Sequence, residues 1–479
     1  MKSIINTKIG ISKGVPRIFI EGEDLALGVA YGDVLKYKMV ETAKEKGIVL
    51  TRCEKNLTSG TKDENTVRVS KRTHRKTGKI KPLLELRDHR LAEFFGVGIL
   101  VKISVSKGKL VVQLHSKDKE KVYRLKRGFE KLKAGEAFSV GSVFVGGGIL
   151  DRALHESMSS AGVDTFCKFV IERESKYLDV LLSNQKDIFT EESIIVRSDV
   201  TDIDCSNVPE VEIFLAGIPC IASSKAGKTK NKLVKAEDHS DAGHLFFPML
   251  NLIKASQPLI VVLECVPEYI QSSSYSVICS MLDSWGYDIS VDVLSGNDYG
   301  CLEDRRRMCL VATTKGMHDE NPFSLTSLEK HFVKEETLTE VLDNVDLDSD
   351  AWKAFEYLKV KEVRDAKEGK GFKRQLYDGS EDSVGTIRRL YHKGGSCDQY
   401  VCHPVNSSLS RLFTPMEHAR LKKVPEKLVE GFSNTLLHEV LGQGVCFPVF
   451  YSVGFAIGIW LKNTMKWFNV ENSQKSLLA

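Results

Sequence analysis

Leu259-Ile260-Val261-Val262-Leu263 is a run of five apolar residues that ends at a carboxylate, Glu264. A strand with one face in water alternates apolar and polar residues. A strand covered on both faces has no polar side to show and reads as a continuous apolar segment. The run therefore predicts a central strand with helices above and below. The same rhythm recurs outward from it. Ser142-Val143-Phe144-Val145 runs into Gly146-Gly147-Gly148 and a helix from Leu150; 166–172, 194–197 and 212–216 read as further strands, and 308–313 as another. Strands alternating with helices predict an α/β fold with a doubly wound sheet over residues 136–314, resumed at 386–479.

The flanks read differently. Residues 1–135 carry 31 Lys and Arg against 15 Asp and Glu, whereas the rest of the chain carries 37 against 49. A basic front on a mildly acidic body points to a polyanionic partner for the front. This segment reads as a small β-rich domain. Arg17-Ile18-Phe19-Ile20 is a short apolar run, and 100–105 and 109–114 flank Ser106-Lys107-Gly108 as a hairpin would. The basic, turn-rich stretch 67–81 is a candidate phosphate-tracking loop, and 115–137 reads as a charged link. From 315 to 385 the periodicity fades into a polar segment, read as an inserted lobe. At 42% hydrophobic and 28% charged the chain has ordinary globular composition. No stretch reaches the roughly 20 apolar residues of a membrane helix, and Met1-Lys2-Ser3-Ile4-Ile5-Asn6 is too short and polar for a secretory signal. Eleven scattered cysteines favour a reducing compartment, and Cys397-x4-Cys402-His403 lacks standard zinc spacing, so no metal is expected.

The chemistry-bearing residues lie where strands should end. Glycines between a strand and a helix admit a ligand to backbone amides, which singles out Phe144, Gly146 and Gly148. Glu172 ends the second strand, where a carboxylate suits ribose hydroxyls, and Asp199 lies beyond the third, in reach of an adenine amine. Gly217-Ile218-Pro219-Cys220 follows the fourth. A thiol there opens onto the crevice, and Ser223-Ser224-Lys225-Ala226-Gly227-Lys228 is small, polar and basic, with Lys225 and Lys228 favouring a thiolate.

In this order the motifs resemble the cytosine-5 DNA methyltransferase family, of bacterial, phage or mobile-element kind. Its catalytic loop is Pro-Cys followed by Ser and Gly-Lys. Its glutamate motif corresponds to Glu264-Cys265-Val266, and its arginine motif to Glu303-Asp304-Arg305-Arg306-Arg307 after Asp298-Tyr299-Gly300. Leu412-Phe413-Thr414-Pro415-Met416-Glu417 and Gly442-Gln443-Gly444-Val445-Cys446-Phe447-Pro448-Val449 match its last motifs. The resemblance implies a Rossmann-like S-adenosylmethionine-dependent methyltransferase. In it Cys220 is the nucleophile, Glu264, Arg307 and Arg305 complete the catalytic set, and Phe144, Gly146, Gly148, Glu172, Asp199, Pro219 and Val445 line the cofactor site. It implies duplex DNA as substrate, held by Ser224, Lys225, Gly227 and Lys228 and, from a target-recognition lobe at 315–385, by Arg364, Lys373 and Arg374. It also implies a bacterial cytoplasmic enzyme on the nucleoid, without a membrane. The segment 1–135 lies outside the resemblance, and DNA binding or homodimerisation are its two candidate roles.

The chain departs from the family at Ile149, Ile221, Cys265, Glu303 and Gln443. Glu303 matters most, because a carboxylate near DNA is unfavourable unless Arg305 or Arg306 pairs with it. Two other readings use the same motifs: a DNA-binding regulator on a degenerate methyltransferase body, and the family's RNA-directed branch. An intact Cys220, Glu264 and Arg307 favour the enzyme over the first, and the basic addition at the front argues against the second.

Overall fold

The computed structural model describes residues 1–41, 46–53, 65–73, 77–219, 237, 239, 243–318 and 320–477, with side chains described as far as 466. It divides into two compact units, Met1–Tyr123 and Arg124–Ala479.

The second unit is built on a seven-stranded sheet. Its strands are β1 (Phe138–Val143), β2 (Thr165–Glu172), β3 (Phe189–Arg197), β4 (Ile213–Gly217), β5 (Ile260–Cys265), β6 (Tyr287–Ser295) and β7 (Arg306–Thr314). They lie in the order β3-β2-β1-β4-β5-β7-β6, parallel except β7, which runs antiparallel to both neighbours. The apolar run has the expected cause. Ile260 and Val262 of β5 join a core with helices Ile149–Ser160 and Asn434–Gln443. Val261 and Leu263 join a separate core with Phe246–Ser256 and Ser273–Ser284. Both faces are buried, so no position is left for a polar residue.

Three boundaries differ from the sequence reading. The supposed link is the helix Ser116–Ala134, which crosses the boundary between the units. Its Arg124 is buried and donates to Trp285 O at 2.6 Å and Gln257 Oε1 at 2.9 Å. Gly128 lies so close to Leu259 that a Cβ would sit 2.5 Å from its Cδ2. The lobe also starts later and ends later than expected. Met317, Phe323, Leu325 and Leu328 are part of the main core. A three-stranded sheet joins Gln375–Tyr377 to Gln399–Cys402 and Ser410–Arg411, so the lobe continues beyond 385. Leu338, Val341, Val384, Ile387, Val401 and Phe413 of this segment form one core cluster together with Leu302 and Leu421.

The first unit contains a six-stranded antiparallel sheet in the order Ser3–Lys8, Leu100–Ser106, Lys109–Leu114, Lys46–Arg52, Val34–Glu41, Thr66–Arg68. A four-stranded sheet runs Gly10–Ser12, Val15–Glu21, Ile80–Arg87, Ser70–Thr73. Leu35, Leu50, Ile103 and Leu110 of the first share one core with Ile18, Ile20, Leu84 and Leu86 of the second. No single helix among the described residues is long and apolar enough to cross a membrane.

Candidate active site

The crevice lies at the carboxyl ends of β1, β2, β4 and β5. Leaving β1, the chain turns through Phe144 at φ 57°, Gly146 at φ 55° and Gly148 at φ 74°. Three left-handed residues within five turn the backbone from the carboxyl end of β1 into the helix Ile149–Ser160. Glu172, at the end of β2, fixes this turn: its Oε2 accepts from Gly146 N and its Oε1 from Glu174 N, each at 2.9 Å. Each oxygen keeps a further lone pair for a hydroxyl. Asp199 caps the short turn Val200–Asp202, accepting from Thr201 N at 3.0 Å and Thr201 Oγ1 at 2.8 Å, with Arg173 Nη1 3.3 Å from its other oxygen. The Thr201 amide, together with the Thr201 hydroxyl and Arg173, holds its carboxyl below the usual carboxylate range against the effect of burial. Partly exposed carboxylates beside a glycine turn, on adjacent strand ends, suit a ligand carrying ribose hydroxyls and an amine.

Beyond β4 the backbone is anchored by Ile218 N donating to Glu264 O at 2.8 Å. Pro219 follows, half-buried. Cys220, Ser224, Lys225, Gly227 and Lys228 lie outside the described residues. On β5 the Glu264 carboxylate pairs with Arg307 of β7, Oε1 to Nε 2.9 Å. Burial raises the Glu264 pKa, while Arg307, then Arg305 and Lys422, oppose the rise. Gly217 matters here. A Cβ on it would lie 3.4 Å from Glu264 Oε2, so a side chain at this position would rest against that oxygen and glycine places none there. A buried carboxylate whose pKa is raised by burial, with a guanidinium at one of its oxygens, is suited to hold a planar heterocycle and to hand it a proton.

Other expected site residues are engaged elsewhere. Arg305 is buried and donates to the carbonyls of Ile387 (3.3 Å), Gly442 (3.1 Å) and Gln443 (3.3 Å), so it braces the backbone behind the crevice. Val445 lies in the main core. At Gly148 the Cβ position is occupied by Leu181 and Gln185, so this glycine serves helix packing. In the lobe, Arg364 pairs with Asp365 at 3.0 Å and Arg374 with Glu362 at 2.8 Å. Lys373 is exposed and makes no ion pair among the described residues. Glu303 is wholly buried, with Lys422 at 3.0 Å and Arg305 at 3.5 Å, so its charge is met by two cations. Sequence reasoning missed Lys422 and Arg173, and it gave Gly217 no role of its own although Gly217 opens the stretch that leads to Cys220. Lys422 had a visible signal, a cation shortly after Glu417 of a matching motif.

Sheet order and crevice define a Rossmann-like methyltransferase. The family model for C-5 cytosine-specific DNA methylase matches residues 138–458, and the chain belongs to that family: it is a DNA cytosine-5 methyltransferase. It is 26% identical over 293 residues to the type II methyltransferase M.SsoII of Shigella sonnei, covering 58% of this chain and 74% of that protein. It is 27% identical over 271 residues to the type II methyltransferase M.NlaX of Neisseria lactamica, covering 54% and 79%. The S. pombe Dnmt2 methyltransferase structure superposes with a TM-score of 0.53 at 16% identity, over 68% of this chain and 99% of that one. The Entamoeba histolytica methyltransferase EhMeth does so at 0.52 and 18%, over 67% and 98%. At these identities the structures establish the fold.

Proposed function

We propose that the protein methylates C5 of a cytosine flipped out of duplex DNA, through a covalent bond between Cys220 and C6. The observation that carries the reading is the Glu264–Arg307 pair at 2.9 Å, buried at the end of β5 beside Gly217. The strand that ends at Gly217 runs on through Pro219 to Cys220.

C5 of cytosine is a poor nucleophile. As the Cys220 thiolate bonds to C6, the C5–C6 π pair moves to C5, which then attacks an electrophilic carbon. Glu264 hydrogen-bonds N3 and the exocyclic amine and supplies the proton that neutralises the ring, and Arg307 faces O2 and holds Glu264 in place. Loss of the C5 proton to a base returns electrons to the ring and expels the thiolate. S-adenosylmethionine, when bound, supplies the methyl group. Glu172 and Asp199 would hold its ribose and adenine, Phe144 and Gly146 its turn-facing side, and Pro219 the approach to Cys220. A stacked cytosine is out of reach of such a crevice, so the base leaves the helix. Ser224, Lys225, Gly227 and Lys228 would close over it. The lobe reads sequence, with Lys373 its uncommitted cation. The enzyme acts in the cytoplasm on nucleoid DNA.

The test is transfer of labelled methyl from S-adenosylmethionine to mixed-sequence duplex DNA, with Cys220→Ala in parallel. Transfer to C5 that vanishes in the variant is expected. Tight DNA binding without transfer by the intact chain would overturn the reading in favour of a regulator.

A further inference from the structure

Strand register in the first unit sorts its lysines onto one face. Lys36 is paired with Thr51, Thr51 with Lys109 and Lys109 with Ser106. One step along, Lys38, Val49, Val111, Ser104 and Ile4 form a second row. In a third, Val40, Gly47, Gln113, Lys102 and Asn6 align. Directly opposed residues share a face, so these rows, with Lys8, Val34, Thr66 and Arg68, make up the side of the six-stranded sheet turned away from its core. Lys8, Lys36, Lys38, Arg68 and Lys109 are exposed on it and Lys102 is half-exposed. No Asp or Glu occupies any of these positions. Among the described residues Lys8, Lys38, Arg68, Lys102 and Lys109 make no ion pair. The four-stranded sheet contrasts with this. There Arg17 and Arg87 pair with Glu85, at 2.6 and 2.9 Å, and Arg72 pairs with Glu21 at 2.6 Å. The basic stretch 67–81 that stands out in the sequence is thus partly neutralised, and the uncompensated charge lies on the other sheet.

We infer that this open sheet face binds the phosphate backbone of duplex DNA without reading sequence, as a second contact surface in addition to the crevice. Six strands spaced about 4.8 Å apart spread the cations over about 24 Å, the axial length of about seven base-pair steps. The face carries no Phe, Tyr or Trp, so it offers unpaired bases nothing to stack on and does not suit a single strand. Self-association through it would set lysine against lysine, because a two-fold interface opposes a surface to itself.

The experiment measures equilibrium binding of the full chain to a short mixed-sequence duplex across about 50 to 200 mM salt, without methyl donor. It therefore fails or succeeds separately from methyl transfer. Each phosphate contact contributes about 0.9 to the slope of log affinity against log salt. Lys38→Gln/Lys102→Gln/Lys109→Gln is expected to reduce that slope by about 2.7, and Lys109→Gln alone by about 0.9. Arg17→Gln/Arg72→Gln/Arg87→Gln, which removes the same charge from the other sheet, is expected to leave it unchanged. An unchanged slope in the first triple variant, or an equal fall in the second, overturns the inference. So does a first triple variant whose only loss is in binding to a single strand or to anionic vesicles.

Discussion

The ammonium of Lys422 lies 3.0 Å from the carboxylate of Glu303, and both residues are wholly buried. Around that carboxylate Arg305 stands at 3.5 Å and Ile387 N donates at 3.0 Å. One negative charge between two positive ones accounts for a carboxylate where the family commonly has glutamine. Lys422 also donates to Gly444 O at 3.2 Å, at the turn before the last helix. Breaking a buried pair strands the remaining charge and costs about 3–5 kcal/mol, whereas removing both charges together is close to neutral. Glu303→Gln, which strands both cations, is therefore expected to lose stability on that scale in urea unfolding, and Glu303→Gln/Lys422→Met, which leaves only Arg305 without its anion, to regain part of it. Equal losses in the single and double variants would show that the pair is not the source.

Glu264→Gln keeps the shape of the side chain but removes its acid. If the carboxyl neutralises the ring during attack, kcat is expected to fall by about 10²–10³, the usual effect of losing one transition-state stabiliser. The KM for DNA should change little. Arg307→Ala removes the strongest cationic influence opposing the burial-driven rise in the Glu264 pKa. Any pH limb owed to Glu264 should then move to higher pH. A limb that stays in place would detach it from Glu264.

The sheet was legible in the sequence where burial on both faces left only apolar residues, as in β5. It was not legible in β6, where Tyr287–Ser295 alternates with Asp288, Ser290 and Asp292 at the sheet edge. The helix Ser116–Ala134 was hidden for a different reason. Leu125, Phe129 and Leu132 do recur at helical spacing, and Leu125 and Leu132 pack against the main core, but the dense lysines and arginines around them read as a solvated link, and the two fully buried residues are Arg124 and Gly128. Motif spacing singled out Glu172, Asp199, Glu264 and Arg307, which the fold places at or just beyond strand ends of the seven-stranded sheet. It could not tell that Arg305 turns back toward carbonyls, since both arginines sit in one short motif and only the fold separates their directions.

The glycines of the first turn are expected to separate structural from ligand-facing roles. A Cβ at Gly148 would lie 2.3 Å from Leu181 Cδ1 and 2.7 Å from Gln185 Nε2, at φ 74°. Gly148→Ala should lose about 1–3 kcal/mol from overpacking, plus a backbone penalty of similar size. At Gly146 the only neighbour within reach among the described residues is the flexible end of Gln443, at 3.3 Å. Gly146→Ala should cost less stability and should mainly weaken binding of S-adenosylmethionine, measured by calorimetry. The reverse ranking in calorimetry and thermal melting would exchange the two roles.

Buried histidines set an acid limit on the fold. Burial pushes His155 and His438 each down to about 4 from 6.5, and it also pushes down His418, whose Nδ1 lies 3.1 Å from that of His438. Between those values the unfolded chain binds protons that the folded chain does not, so stability falls as pH falls below 6.5. At pH 5 the loss from His155 and His438 together is about 4 kcal/mol relative to pH 7. Asp151 acts in the opposite direction. Burial, partly offset by its hydrogen bond from Ser142, raises its pKa to about 6 from 3.8, so the folded chain takes up a proton first and gains about 1 kcal/mol by pH 5. The net loss of about 3 kcal/mol is a large part of a typical folding free energy of about 5–15 kcal/mol. Urea unfolding at the two pH values should show it. Asp151→Asn, which removes the opposing titration, should steepen the fall to about 4 kcal/mol. A stability independent of pH between 7 and 5, in both proteins, would mean that these histidines take up protons without unfolding the chain.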